Sequence, residues 1–182
     1  FSFKGCIETL LRELRITNVT FEACTDNASY HPGRCACVYA GETLLGVFGQ
    51  IHPLGAANYG VDSEIYTAEL SFEAMYEMRG GIPVYQPLPK FPAVTRDIAV
   101  VCDEAVTVGA LEESIRRGAK GLLKEVSLFD IYRGPGVADG KKSVAFNLVL
   151  RADDRSLTGD EADEDVQSIL AALSADHGAV LR

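Results

Sequence analysis

The sequence lacks an excess of positive charge. Its 17 Lys and Arg stand against 26 Asp and Glu, for a formal net charge of −9 at pH 7. A generic nucleic-acid binder is basic, so this balance argues against non-specific DNA binding while leaving room for a small local RNA site. The sequence also lacks an apolar run long enough to cross a bilayer, and no membrane partner is expected. It has no secretory signal and begins on Phe1 rather than methionine, so it reads as a piece of a longer protein. Cysteines number five, an odd count. Without a secretory signal, that points to reduced thiols and a cytoplasmic setting. There is no internal repeat and no low-complexity tract.

What is present is a chain of 182 residues, 47% of them hydrophobic. That suffices for one large packed domain or two small ones. Composition shifts at "RGGIPVYQPLPKFP", residues 79–92, where two glycines and four prolines disfavour helix and sheet interiors. This predicts a linker and a division into 1–86 and 87–182. In the first segment Ile7, Leu10, Leu11 and Leu14 repeat at helical spacing over residues 4–14. A strand near 19–24 follows. Then "CACVYA" and "TLLGVFGQI" read as a hairpin, and "EIYTAELSF" as a further strand. The His-Pro pairs at 31–32 and 52–53 predict strand boundaries, because the residue before proline is pushed out of the helical region.

The second segment is more regular. It predicts a strand over 96–102, a helix over 108–119 capped by Thr107, and a strand over 125–133. A turn-rich connection over 134–142 leads to a strand over 143–151. That last strand alternates cleanly, with Val144, Phe146, Leu148 and Leu150 on one side and Ser143, Ala145, Asn147, Val149 and Arg151 on the other. Thr158 and Glu161 have capping-box spacing. The helix they open turns Ala162, Val166, Ile169, Leu170 and Leu173 inward, and Gly178 stops it before the short strand "AVLR". The order is βαββαβ. Right-handed crossovers then place both helices on one face of a four-stranded antiparallel sheet, a ferredoxin-like sandwich with the other face bare.

Charge in this segment is uneven. Asp153, Asp154, Asp160, Glu161, Asp163, Glu164 and Asp165 surround the start of the last helix, where negative side chains favour the helix dipole. Without these seven and Arg155, residues 91–182 carry 10 basic and 9 acidic side chains. The rest of the domain is close to neutral.

Several chemistry-bearing stretches fall short of a site. "HPGRCAC" offers one C-x-C, whereas zinc sites are built from pairs spaced C-x₂₋₄-C or H-x₃₋₅-H. No metal site is therefore expected. A Cys/His nucleophile pair has nothing to orient it. Arg34 is a surface arginine with a local partner, or one that faces a binding partner. "GVADGKKS" has three residues between Gly136 and Gly140 where a phosphate loop needs four, and a strand follows it instead of a helix. Arg79 and two glycines resemble an ATP clamp, but prolines stand where its helix should begin. No catalytic residue is assigned.

"FPAVTRDIAVVCDEAVTVGALEESIR", "SLFDIYRGPGVADGKKSVAFNLVLRADDRSLTGDE" and "GAVLR" resemble the ferredoxin-fold anticodon-binding domain of bacterial phenylalanyl-tRNA synthetase beta subunits. The resemblance covers 91–182. "FSFKGCIETLLREL", "YHPGRCACVY", "GVFGQIHP" and "IYTAELSF" resemble the synthetase-like core that precedes that domain. The resemblance implies an α+β chain: a mixed, sheet-rich fragment of a class II synthetase-like core, non-catalytic, followed by the ferredoxin-like module. It implies roughly the last quarter of a beta chain. The implied partners are the tRNA(Phe) anticodon stem-loop and the alpha subunit in an alpha2-beta2 assembly. Catalysis would lie on alpha, with ATP and Mg2+ used by the whole enzyme and no cofactor in this fragment.

An anticodon loop presents unstacked bases, which open sheets read by stacking and by hydrogen bonds to base edges. With Ile98 and Val100 facing the helices, Asp97 and Ala99 face outward, as do Ala145 and Asn147. Ala99 and Ala145 make a flat shelf for a base, and Asn147 can bond a base edge. Arg96, Arg133 and Arg151 at strand ends, with Lys141 and Lys142 in the turn, are candidates for phosphate contact. Phe129 is a candidate stacking ring if the strand shifts phase after Leu128. The competing reading is a ferredoxin-like protein-interaction or small-ligand-sensing module without RNA binding. A free-standing enzyme is a third.

Overall fold

A computed structural model describes residues 2–85 and 87–182. The chain forms two compact units, Phe1–Tyr85 and Gln86–Arg182. Gln86, at which the sequence-based division falls, lies outside the described residues.

In the first unit, α1 (Ser2–Glu13) buries Ile7 and Leu11, one turn apart on a single stripe. β1 (Val19–Ala23), β2 (Tyr30–Ala40) and β3 (Thr43–Ile51) follow, then α2 (Pro53–Asn58), β4 (Tyr66–Leu70) and α3 (Phe72–Met78). The strands form an antiparallel sheet in sequence order. Val38, Ala40, Leu45 and Phe48 of the sheet pack with Ile7 and Leu11 of α1.

Two helices here are too short to announce themselves by periodicity. His52 caps α2, its ring accepting from the Leu54 N–H at 3.2 Å, and Pro53 takes the first helical position. Ser71 caps α3 through the Ala74 N–H. The expectation for His31-Pro32 needs correcting. The pair lies inside β2, at a register shift between Tyr30 and Cys35, and not at a strand boundary. A bulge accommodates a residue that has no N–H to give the ladder.

The second unit runs β5 (Val94–Asp103), α4 (Val108–Gly118), β6 (Leu123–Tyr132), β7 (Lys141–Leu150), α5 (Gly159–His177) and β8 (Val180–Leu181). Its sheet has the order β6-β7-β5-β8 with every neighbour antiparallel. This is the ferredoxin-like arrangement, and the chain as a whole is α+β. Val144, Phe146, Leu148 and Leu150 of β7 are fully buried. They pack with Leu111 and Ile115 of α4 and with Ile169 and Leu173 of α5. Each such side chain stabilises the fold by about 1.5–3 kcal/mol relative to exposure.

Local chemistry fixes the helices. Thr107 accepts from the Ala110 N–H at 3.2 Å. Thr158 and Glu161 bond reciprocally at the start of α5, and Gly178 closes it in the left-handed region at φ 59°. Asp165, buried on α5, accepts from the Lys120 N–H just past the end of α4 and so ties the two helices together. A Cβ on Gly118 would stand 2.7 Å from that of Ala172, which explains the glycine at this close helix crossing. Both helices cover one face of the sheet. What stands on the other face decides what the domain can do.

Candidate nucleic-acid interface

Register assigns that outer face row by row. Asp97 of β5 pairs with Asn147 of β7, and Asn147 with Ser127 of β6. The next row is Ala99, Ala145 and Asp130, and the next Val101, Ser143 and Tyr132. β6 stays in phase with the core up to Leu128 and then slips. A bulge between Leu128 and Asp130 makes Phe129 the extra residue. Phe129 is 59% exposed. The slip turns Asp130 and Tyr132 onto the outer face, whereas plain alternation from Val126 and Leu128 would put them on the core side, and Ile131 takes the core side opposite Val144.

Asn147 donates through Nδ2 to Asp97 Oδ1 at 2.7 Å. The pair fixes the amide and leaves its oxygen and second N–H for another partner. Ala99 and Ala145 face one another directly, as the shelf reading requires. That shelf is not open, however. Ala145 is 8% exposed and Ser143 3%. Arg182 continues the β8 pairing, its N–H bonding the Ala99 carbonyl, and its guanidinium lies 4.9 Å from the centre of the Tyr132 ring. To get there from β8 it crosses the β5 and β7 positions that separate β8 from β6. The expected bare face is therefore partly covered, by the chain's own Arg182.

Two sequence-based candidates leave this face. Lys142 shares the core-side parity of Val144, pairs with Cys102, and is only 6% exposed. Its Nζ donates to the Glu104 carbonyl at 2.9 Å. The correction has a simple cause: the strand starts at Lys141, so Lys142 belongs to the alternation and not to the turn. Arg96 pairs with Leu148 on the helix side and reaches Asp163 of α5 at 2.8 Å.

The other cations stay at the rim. Arg133 grips Glu104 through Nε and Nη2, and that bond holds the Glu104 carboxyl below its ordinary range. Lys141 bonds Asp103 across the ladder at 2.7 Å. Arg151 is the least committed. Its nearest acid, Asp153, is 3.9 Å away, and its buried Nε has no hydrogen-bond partner.

The first unit offers less. Arg34 bonds Gln50 and Glu64, each at 2.7 Å. Burial pushes the Cys35 thiol up to about 12, which makes it a poor nucleophile. Among the described residues no three His, Cys, Asp or Glu side chains converge to hold a metal ion. Arg79 lies over the Tyr76 ring at 3.5 Å and bonds the Tyr76 carbonyl, and the described residues between it and β5 form no helix. This stretch does not fit the phosphates of ATP. No helix among the described residues is long and apolar enough to cross a membrane.

Tyr132, Asp130 and Arg182 were missed by sequence reasoning. The signal for the first two was the phase slip at Phe129, since one extra residue changes which residues share the Ala145 face. For Arg182 there was no local signal.

Fold and outer face together define an anticodon-binding type of domain, and comparison with known families agrees. The ferredoxin-fold anticodon binding domain matches residues 89–182. The phenylalanyl tRNA synthetase beta chain CLM domain matches residues 1–72. The chain belongs to the phenylalanyl-tRNA synthetase beta-chain family. It is 42% identical over its full length to the phenylalanine–tRNA ligase beta subunit of Symbiobacterium thermophilum, covering 20% of that protein. It is 38% identical over its full length to that of Bacillus subtilis, covering 22%. Over 181 residues it is 36% identical to that of Clostridium tetani, covering 23%. The chain thus spans between a fifth and a quarter of the relatives it matches.

Proposed function

We propose that the chain recognises the anticodon loop of tRNA(Phe), as the RNA-reading part of a phenylalanine–tRNA ligase beta subunit. One observation carries the reading: the held Asp97–Asn147 pair beside small Ala99 and Ala145, on the helix-free face of a domain whose family is named for anticodon binding. Loop bases are unpaired, so their edges and faces are available to such a surface. Asn147 bonds a base edge with the groups that Asp97 leaves unused. Phe129 and Tyr132 offer rings, and stacking contributes about 1–3 kcal/mol per base. Arg151, Lys141 and Arg133 line the rim, where phosphates pass. Exposed ion pairs such as Arg133–Glu104 are weak enough to open for a phosphate. Arg96 and Lys142 take no part.

The acidic charge does not forbid this. Asp160, Asp163 and Glu164 sit on α5, behind the sheet. A layer of protein and a Debye length of about 8 Å separate them from RNA on the outer face.

In the whole ligase the alpha subunit carries the aminoacylation centre and uses ATP and Mg2+, in a cytoplasmic alpha2-beta2 assembly. Residues 1–86 act as scaffold and 87–182 as reader. The exposed Leu54, Tyr59, Phe72 and Tyr76 of the first unit support a partner subunit there, because large apolar side chains in solvent mark interaction surfaces. The test is an anisotropy titration of the chain with the tRNA(Phe) anticodon stem-loop and with a scrambled-loop control. Preference for the native loop is expected. Equal affinity removes the specificity, and a stable dimer by light scattering that ignores both RNAs favours a protein-interaction module.

A further inference from the structure

We infer that Arg182 is a movable jaw of the RNA surface: it stacks on Tyr132 in the free chain and closes over a base once one has entered. This rests on the anticodon-reading function proposed above and adds a residue and a mechanism to it.

The argument starts from register. Val100 pairs with Leu181 and Val101 with Val180, and the Arg182 N–H bonds the Ala99 carbonyl at 2.9 Å. Arg182 therefore stands opposite Ala99, with its side chain on the same outer face. From there the guanidinium comes to 4.9 Å from the Tyr132 ring centre. Side chains larger than alanine at 99 and 145 would obstruct that path. The small residues leave a channel across the sheet, and Arg182 fills it in the absence of RNA.

Tyr132 is held while Arg182 is not. The tyrosine hydroxyl donates to the Pro135 carbonyl at 3.2 Å. The loop lies so close that a Cβ on Gly134 would stand 2.9 Å from that hydroxyl. Arg182, by contrast, follows a strand of two residues, and Val180 and Leu181 are themselves exposed. Its guanidinium makes no ion pair among the described residues, and its side chain is exposed. One plate is fixed and the other hinges.

A guanidinium stacked on an aromatic ring is also the geometry in which a nucleobase is held, since arginine planes and aromatic rings both stack bases. A base entering between the two separates them by about one further stacking distance, which the long arginine side chain allows. Each face of the base then meets a planar partner, and the positive charge stays near the phosphates. Arg182 gives up one ring contact and gains a base contact in its place, so its net effect is to favour binding.

The test uses the full 182-residue chain and a tRNA(Phe) anticodon stem-loop carrying 2-aminopurine at a loop position. Wild type is expected to bind and to quench the fluorophore. Arg182→Ala is expected to weaken binding about two- to fivefold, the range of one exposed cation–π contact, and to lose part of the quench. Arg182→Lys should retain the salt dependence of wild type but not its quench. Thermal melting reports folding separately, and little change is expected because the Arg182 side chain is itself exposed. Unchanged or tighter binding by Arg182→Ala, with the quench intact, overturns the jaw while leaving anticodon reading in place. Failure of wild type to prefer the native loop overturns both, and the scrambled control tells the two failures apart.

Discussion

Asn147 and Asp97 sit directly opposite one another on β7 and β5, joined by a 2.7 Å hydrogen bond from the amide to the carboxylate. A carboxylate on an RNA-facing surface repels phosphate unless it has another task. Here it orients an amide that has two further hydrogen-bonding groups to offer. Asn147→Ala should therefore cost the native stem-loop most of its advantage over the scrambled one. Stability should change by no more than about 0.5 kcal/mol, as is usual for surface sites. Parallel titrations and thermal melts check this. A large stability loss with specificity retained would assign the pair a structural role.

At the start of α5, Glu161 accepts from the Thr158 N–H and hydroxyl while Thr158 accepts from the Glu161 N–H. Thr158→Ala should cost about 1 kcal/mol, which for a unit of this size lowers Tm by about 4–8 °C. The Thr158 backbone N–H, then its hydroxyl, hold the Glu161 carboxyl below its ordinary value. A depressed folded-state value means the stabilisation is complete above the unfolded carboxylate's pKa, about 4.3. It fades as pH falls from there through the lower folded value. Melts from pH 7 to pH 3 should show wild type and Thr158→Ala converging at the acid end.

The fold was legible where periodicity runs uninterrupted. β7 alternates without a break, and the Thr158–Glu161 box and Gly178 bracket α5 as their chemistry requires. Legibility failed where geometry depends on one extra residue or on distant contacts. The bulge at Phe129 decides the face that Asp130 and Tyr132 occupy, and no residue type announces a bulge. Lys142 looked like part of a turn because "DGKK" is polar, yet it lies in the strand with its stem buried. Arg182 meets Tyr132 only after the whole domain has folded, so nothing near either residue in sequence predicts the pair. α2 and α3 are too short for a helical period to show.

Gly49 of β3 gives a prediction for the first unit. A Cβ there would stand 2.8 Å from the Cys35 Cα and closer still to the Arg34 carbonyl. Both are backbone, so no rotamer change relieves the clash. Gly49→Ala should force β2 and β3 apart and destabilise this sheet by about 1–3 kcal/mol. Limited proteolysis should then cut within residues 30–51 faster than in wild type. Unchanged protection would mean the strands part easily.

Arg151 and Lys142 separate phosphate contact from structure. Both are long cations on β7 or its end, but Arg151 continues the outer-face alternation with its buried Nε lacking a partner, while Lys142 is buried and bonded to the Glu104 carbonyl. A cation that neutralises one phosphate of a single strand adds about 0.7 to the slope of log affinity against log salt. Arg151→Gln should weaken binding to native and scrambled loops alike and flatten that slope by about this amount, with Tm nearly unchanged. Lys142→Gln should do the reverse. It leaves the Glu104 carbonyl without its charged donor and the packed stem disturbed, so Tm falls, while the salt slope of the folded protein stays put. The two slopes, measured between 50 and 200 mM salt, decide the matter: a flattened slope for Lys142→Gln would return Lys142 to the RNA surface from which its burial removes it.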